Sequence, residues 1–136
     1  MADQSKLPLP RPTPETQHFW EGTQAGKLLL QTCADCQNTY FPPRPFCPAC
    51  ASRSVKVVEA SGDASLYSYV IHHRPHPAFD GPYSIAVVTL AEGPRMMTNI
   101  VDCDPESVTI GMDVTVTFDD VTEDITLPKF RPSTGA

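Results

Sequence analysis

Two Cys-x-x-Cys pairs, Cys33/Cys36 and Cys47/Cys50, carry the chemistry most plainly written in this chain. The turn inside each pair points two sulfurs toward one ion. The ten residues between Cys36 and Cys47 suffice for a short strand pair that sets the second turn against the first. Four thiolates in a tetrahedral array suit a single zinc, and a closed four-sulfur set leaves no position for water or substrate. The site therefore reads as structural and not catalytic. A rubredoxin-like iron centre uses the same ligands, but its knuckles usually lie much farther apart, and nothing else here points to electron transfer. Disulfides are the remaining alternative. The cysteine count is five, which is odd, and residues 1–11 hold no apolar targeting stretch, so a reducing cytoplasm is expected. Cys103 stands between Asp102 and Asp104, where two carboxylates make a poor setting for a nucleophilic thiolate; a partly buried structural cysteine is expected.

A second concentration of chemistry is His72-His73-Arg74-Pro75-His76. Successive strand residues face opposite ways, so His72 and His73 do not converge, and Asp80 is the nearest carboxylate that could join them. A strand end running into a partner-facing loop is the reading. The chain has no nucleophile elbow, no P-loop and no dinucleotide glycine fingerprint. Nothing assembles a nucleophile, a base and oxyanion donors, so the chain is not expected to be an enzyme on its own.

The elements that must position these residues are short and mostly extended. With 136 residues and fifteen prolines, the chain suits one ordinary domain or two very small units sharing a core, and no stretch is long enough to span a membrane. Residues 1–12 read as a proline-rich arm. Thr13-Pro14-Glu15 predicts a helix over Pro14–Glu21 that stops at Gly22, with the adjacent Phe19 and Trp20 unable to share one narrow stripe. Lys27–Thr32 and Asn38–Phe41 form the strands of a zinc ribbon too small to fold without its metal. From Val55 the pattern alternates: Val55–Glu59, close to or continuous with Ser65–His73, then Tyr83–Leu90, Arg95–Val101, Asp113–Phe118 and Ile125–Phe130, with a helical turn near Pro105–Ser107. The expected fold is mainly β: an N-terminal helix, a four-cysteine zinc ribbon, and a five-stranded OB-fold barrel. The divisions are 1–24 for arm and helix, 25–54 for the ribbon, 55–132 for the OB-fold and 133–136 for a tail.

Zinc ribbons and OB barrels both occur in nucleic-acid binders, but the charge opposes that class. Residues 1–54 hold five basic and four acidic side chains, while residues 55–136 hold five basic and twelve acidic ones. A backbone-tracking groove needs a basic stripe, which this half lacks.

The order of the pieces resembles the small zinc-ribbon plus OB-fold proteins associated with thiolase-like and other acyl-CoA enzymes. The landmarks are Phe19-Trp20-Glu21-Gly22, Gly26–Cys33, Phe41–Cys50, Ser61-Gly62, Tyr67-Ser68-Tyr69, Ile110–Val114 and Leu127–Pro132, in order over nearly the whole chain. Two departures stand out. Gln37 and Ala51 occupy the position after each knuckle where the family usually has glycine, so a strained or altered turn is expected there. Asp63-Ala64 replaces a basic-Gly pair after Ser61-Gly62, which puts a phosphate contact at that place in doubt. The resemblance implies an accessory role: a thiolase-superfamily partner (thiolase, synthase or retro-aldolase type) carries the reacting groups while this chain helps to bind or channel acyl-CoA. CoA phosphates call for local positive charge, for which Arg44, Lys129 and Arg131 are the candidates, with Phe19, Trp20 and Phe130 as candidate partners for adenine or pantetheine; an ion pair of Arg131 with Asp119 or Asp120 is the ordinary alternative. Phe19, Trp20, His73 and Arg74 are the candidate partner contacts. A stand-alone acyl-CoA-binding protein is the second reading, and a nucleic-acid-binding OB protein the third. Neither nucleic acid nor membrane is an expected partner.

Overall fold

The computed structural model describes residues 7–133. Residues 1–6 of the predicted arm and 134–136 of the predicted tail lie outside the described residues. Among the described residues one helix, α1 (Gln17–Gln24), precedes eight strands: β1 (Leu29–Cys33), β2 (Thr39–Tyr40), β3 (Val55–Glu59), β4 (Asp63–His72), β5 (Tyr83–Leu90), β6 (Arg95–Thr98), β7 (Asp113–Asp120) and β8 (Thr126–Pro132). A short 3-10 turn covers Pro105–Ser107, where a helical turn is predicted. Among the described residues no helix is long and apolar enough to cross a membrane.

The helix corrects the predicted boundaries at both ends. Thr13-Pro14-Glu15 forms a preceding turn, in which the amides of Thr16 and Gln17 both donate to the Thr13 carbonyl, and regular helix starts at Gln17. Gly22 does not stop the helix. A Cβ there would lie 2.7 Å from Leu29 Cδ1, so this glycine lets the helix rest directly on β1. The stop is Gly26, at φ 76°, where the amides of Gly26 and Lys27 return to the carbonyls of Thr23 and Gly22. That pair of bonds is a Schellman cap, and it needs a left-handed residue just past the last turn. Phe19, Gly22 and Thr23 are the buried residues of α1, spaced as one helical stripe.

Two antiparallel sheets follow. The ribbon sheet has the order β2-β1-β3, and the second sheet has the order β6-β5-β4-β7-β8. Val55–Glu59 pairs along its whole length with β1, from Leu29↔Glu59 to Cys33↔Val55. It is close to β4 in sequence but does not hydrogen-bond to it within the barrel sheet. The five barrel strands are those read from alternation, and β5 buries every second residue from Ser84 to Leu90. A bulge between Leu66 and Ser68 leaves Tyr67 exposed under the Arg95 guanidinium, 3.7 Å from the ring centre.

The sheet curls until its two ends meet. Past β6, the Phe130 amide donates to Asn99 O at 3.1 Å and the Val101 amide donates to Phe130 O at 2.7 Å. One core then runs through helix, ribbon and barrel, with Phe19, Leu28 and Leu30 packed in the same cluster as Leu66, Val88, Leu90, Val114 and Phe130. The ribbon has only a small cluster of its own, Cys33, Tyr40 and Cys47 with Val55 against it.

Candidate metal centre and apolar groove

Each knuckle is built by the same pair of bonds. The carbonyls of Cys33 and Cys47 accept from the amides four residues on, Gln37 and Ala51. The amides of Cys33 and Cys47 donate in turn to Asn38 O and Ser52 O. Closing such a turn forces the residue after the second cysteine into the left-handed region, and Gln37 (φ 64°) and Ala51 (φ 65°) are both there. The departures from glycine therefore keep the turn and carry its strain, about 1–2 kcal/mol for a side chain in that region. Ala51→Gly is expected to stabilise the zinc-loaded protein by about 0.5–1 kcal/mol, the relief being partly offset by a freer unfolded chain. Gln37→Gly should gain less, because the Gln37 side-chain amide donates to Ala34 O at 3.0 Å and that bond is lost. Thermal melts of the two variants check the order; equal or negative shifts would refute the strain argument.

The sulfurs meet the geometric demand of zinc. Cys33 and Cys50 Sγ are 3.6 Å apart, as are Cys36 and Cys47 Sγ, and all four lie within 4.8 Å of one another. A tetrahedron with metal–sulfur bonds of about 2.3 Å has edges of about 3.8 Å. All five cysteines are free thiols, so the disulfide alternative falls away. The amides of Cys36 and Ala49 point at Cys33 and Cys47 Sγ, 3.5 and 3.3 Å away, and the Asn38 side chain at Cys47 Sγ. Burial alone would raise Cys47, but the Cys50 and Ala49 amides bring it down to about 6. The Ser52 amide lowers Cys50, yet the Cys36 and Cys33 sulfurs crowding it push it up to about 12. A divalent ion bound by the four sulfurs would offset that crowding. The centre holds one structural zinc. Cys103 lies outside it, half-buried against the main core.

The second feature is a groove of about 340 Å³ where helix, ribbon and barrel meet. Phe19 and Trp20 line one side, the bridge Phe41-Pro42-Pro43 another, and Met96–Asn99 with Leu127–Lys129 the floor. It lies between β6 and β8, and Asn99, whose carbonyl takes one of the closing bonds, is part of its lining. Phe19 is buried, with its ring 5.2 Å from Phe41 and edge-on to Trp20 at 4.9 Å, so it holds the half-buried Trp20 in place. The bridge is anchored at Arg44. Its amide donates to the buried Gln31 Oε1 at 2.7 Å, and its carbonyl accepts from Tyr40 Oη at 3.0 Å.

The candidate ligand and partner residues are thus divided. Phe19, Trp20 and Lys129 share the groove. Lys129 is buried, and its Nζ is 2.8 Å from Asp119 Oδ2. Phe130 is wholly buried at 0% exposure and presents no surface to a ligand. Arg131 is exposed on β8, and Arg44 is exposed in a separate shallow cleft with Gln31 and His18. Burial holds His18 below the usual histidine range, with Glu21 offsetting it in part. His73 and Arg74 sit exposed on the β4–β5 loop, His73 3.8 Å from Glu106. Behind them His72 stacks on Tyr83, and Tyr83 on Phe79 at 3.8 Å, so the loop is pinned by rings. After Ser61-Gly62, the Ser61 amide is taken by the Glu92 carboxylate at 2.9 Å, a setting that repels a phosphate. Phe41, Met96, Met97 and Leu127 carry no signal in the sequence that would mark them as lining one groove.

Fold and centre together define a zinc-ribbon/OB-fold protein. The rubredoxin-like zinc ribbon domain of ChsH2 matches residues 20–56, and the C-terminal OB-fold domain of ChsH2 matches residues 57–119. A DUF35 domain-containing scaffold protein of Methanothermobacter thermautotrophicus is 36% identical over 114 residues, covering 81% of this chain and 86% of the relative. The chain belongs to this DUF35 family of ribbon and OB-fold proteins. A solved chain of an Ltp2-ChsH2(DUF35) aldolase superposes with a TM-score of 0.85 at 39% identity, over 93% of this chain and all of that one. A probable enoyl-CoA hydratase alpha subunit of Thermomonospora curvata is 42% identical over 127 residues, or 91% of this chain. This chain spans 40% of that relative's length.

Proposed function

We propose that this chain is a non-catalytic accessory subunit of a complex that processes acyl-CoA thioesters, with a thiolase-superfamily enzyme as its partner. The groove carries the reading: it is apolar, it lies at the junction of two folded units, and among the described residues no cysteine, histidine, serine or carboxylate lines it. Such a surface binds without offering a nucleophile or a base, so the reacting groups belong to the partner. The names of the relatives, a hydratase alpha subunit, scaffold proteins and a chain of an aldolase, support the same assignment. For the CoA phosphates the proposed contacts narrow to Arg44 and Arg131, because Phe130 is enclosed and Lys129 is paired with Asp119. Trp20, held by Phe19, and the His73-Arg74 loop are the proposed partner contacts. Free thiols and a zinc centre suit a reducing cytoplasm.

Affinity purification of the tagged chain from its own host, with the bound proteins identified by mass spectrometry, tests this. A stoichiometric acyl-CoA enzyme is expected. In the assembled complex Arg131→Ala should weaken acyl-CoA binding about ten-fold, the loss of one charge-assisted contact, while assembly persists. Recovery of the chain alone, with tight acyl-CoA binding by calorimetry, would replace the subunit by a stand-alone carrier. Salt-sensitive nucleic acid in the eluate would overturn both.

A further inference from the structure

The groove has more chemical content than a hydrophobic patch. Two polar side chains on its floor are already bonded to backbone: Thr98 Oγ1 donates to Pro128 O at 3.2 Å, and Asn99 Nδ2 donates to Ser84 O at 2.6 Å. The Lys129 ammonium is turned to Asp119, which leaves its methylene stem facing the groove. Most of the side chains that line the groove are apolar, so the part of a ligand that suits it is apolar. The occupant is also small. Thirteen residues line the groove, against roughly 20–30 a side in a stable protein interface, while its volume of about 340 Å³ suits part of a small molecule.

One wall of the groove belongs to the ribbon. Tyr40 packs on Cys33 and Cys47, and through its hydroxyl it holds the Arg44 end of the Phe41–Pro43 bridge. Gln31, on the same strand as Cys33, holds that end from the other side. Two side chains anchored beside the zinc ligands therefore set where the wall stands.

We propose that this groove takes the aliphatic or ring end of the acyl group, and that the zinc ribbon positions its wall through Tyr40 and Gln31. This rests on the acyl-CoA reading above and adds to it the part of the thioester bound and the residues that bind it. Longer or ring-bearing acyl groups are then the favoured class, and acetyl groups, with almost no chain to bury, are the poorest.

Trp20 is the one tryptophan of the chain and stands in the groove wall, so its emission reports occupancy. The experiment titrates the zinc-loaded full chain with CoA, acetyl-CoA, butyryl-CoA and octanoyl-CoA. A saturable blue shift is expected with octanoyl-CoA, weakening by about four-fold for each methylene that leaves the groove. CoA alone should leave the emission unchanged. Met97→Glu, at a residue 72% exposed on the rim, should keep the zinc and the fold and weaken octanoyl-CoA binding at least ten-fold. Tyr40→Phe keeps the ring beside the sulfurs and should retain one zinc while weakening octanoyl-CoA more than butyryl-CoA. An emission response equal for CoA and octanoyl-CoA, or octanoyl-CoA binding untouched in both variants, would overturn the proposal. An enzyme complex that binds octanoyl-CoA with Trp20 emission unchanged would remove the groove and leave the subunit reading. A chain-length response in a chain that assembles with no enzyme would do the reverse.

Discussion

Cys47→Ala is expected to abolish zinc binding and to unfold the ribbon as a unit, not merely to lower its stability. Cys47 is fully enclosed, and the ribbon's own buried cluster consists of little besides Cys33, Tyr40 and Cys47. Structural zinc in small four-ligand sites contributes on the order of 10–16 kcal/mol, comparable with or above the whole stability of a typical domain. With three thiolates the knuckles lose the ion that offsets the crowding of their sulfurs. Hydrogen exchange should then show β1, β2 and β3 unprotected, while β4, β5, β7 and β8 keep the protection of a separate ladder. Metal analysis should give no zinc for this variant, and one zinc per chain for the wild type and for Cys103→Ala. Stoichiometric iron in the wild type, or a full zinc complement in Cys47→Ala, would refute the assignment.

Phe130→Ala should cost about 3–5 kcal/mol, a large fraction of the stability of a typical domain. The ring is wholly buried among Leu66, Val88, Val114 and other core residues, and the backbone of the same residue makes the bonds to Asn99 and Val101 that close the barrel. Its removal leaves a cavity at the seam, where the surrounding strands are tied to each other and cannot collapse inward. Urea unfolding measures the loss. Phe130→Leu separates structure from binding: it should cost under about 1.5 kcal/mol and leave acyl-CoA binding by the complex unchanged. A variant as stable as wild type that loses acyl-CoA would show that Phe130 reaches the ligand after all.

The metal centre could be read from the chain because its geometry is local. Each knuckle is completed within six residues, by bonds from the first cysteine to the residues four and five positions on, so type and spacing already state the site. Even the left-handed backbone at Gln37 and Ala51 is dictated by that short ring of bonds. The barrel strands were legible for a similar reason: alternation over Tyr83–Leu90 records a face, and Pro105-Glu106-Ser107 records a turn. A glycine carries no such record. Gly22 and Gly26 look alike as helix breakers, and only Leu29 pressing against the first and the Schellman bonds around the second assign them opposite roles. Strand pairing is equally silent, since Val55–Glu59 could serve the strand next to it or β1 some 25 residues earlier, and only the structure pairs it with β1, Val55 beside Cys33. The groove was beyond local reading altogether. Its walls come from α1, the ribbon bridge, β6 and β8, and each contributes residues that by themselves look like ordinary core. The curl of the sheet decides that Phe130 turns inward, that Lys129 meets Asp119, and that a gap remains between β6 and β8, because closure of a barrel sets the facing of every residue on its last strand at once.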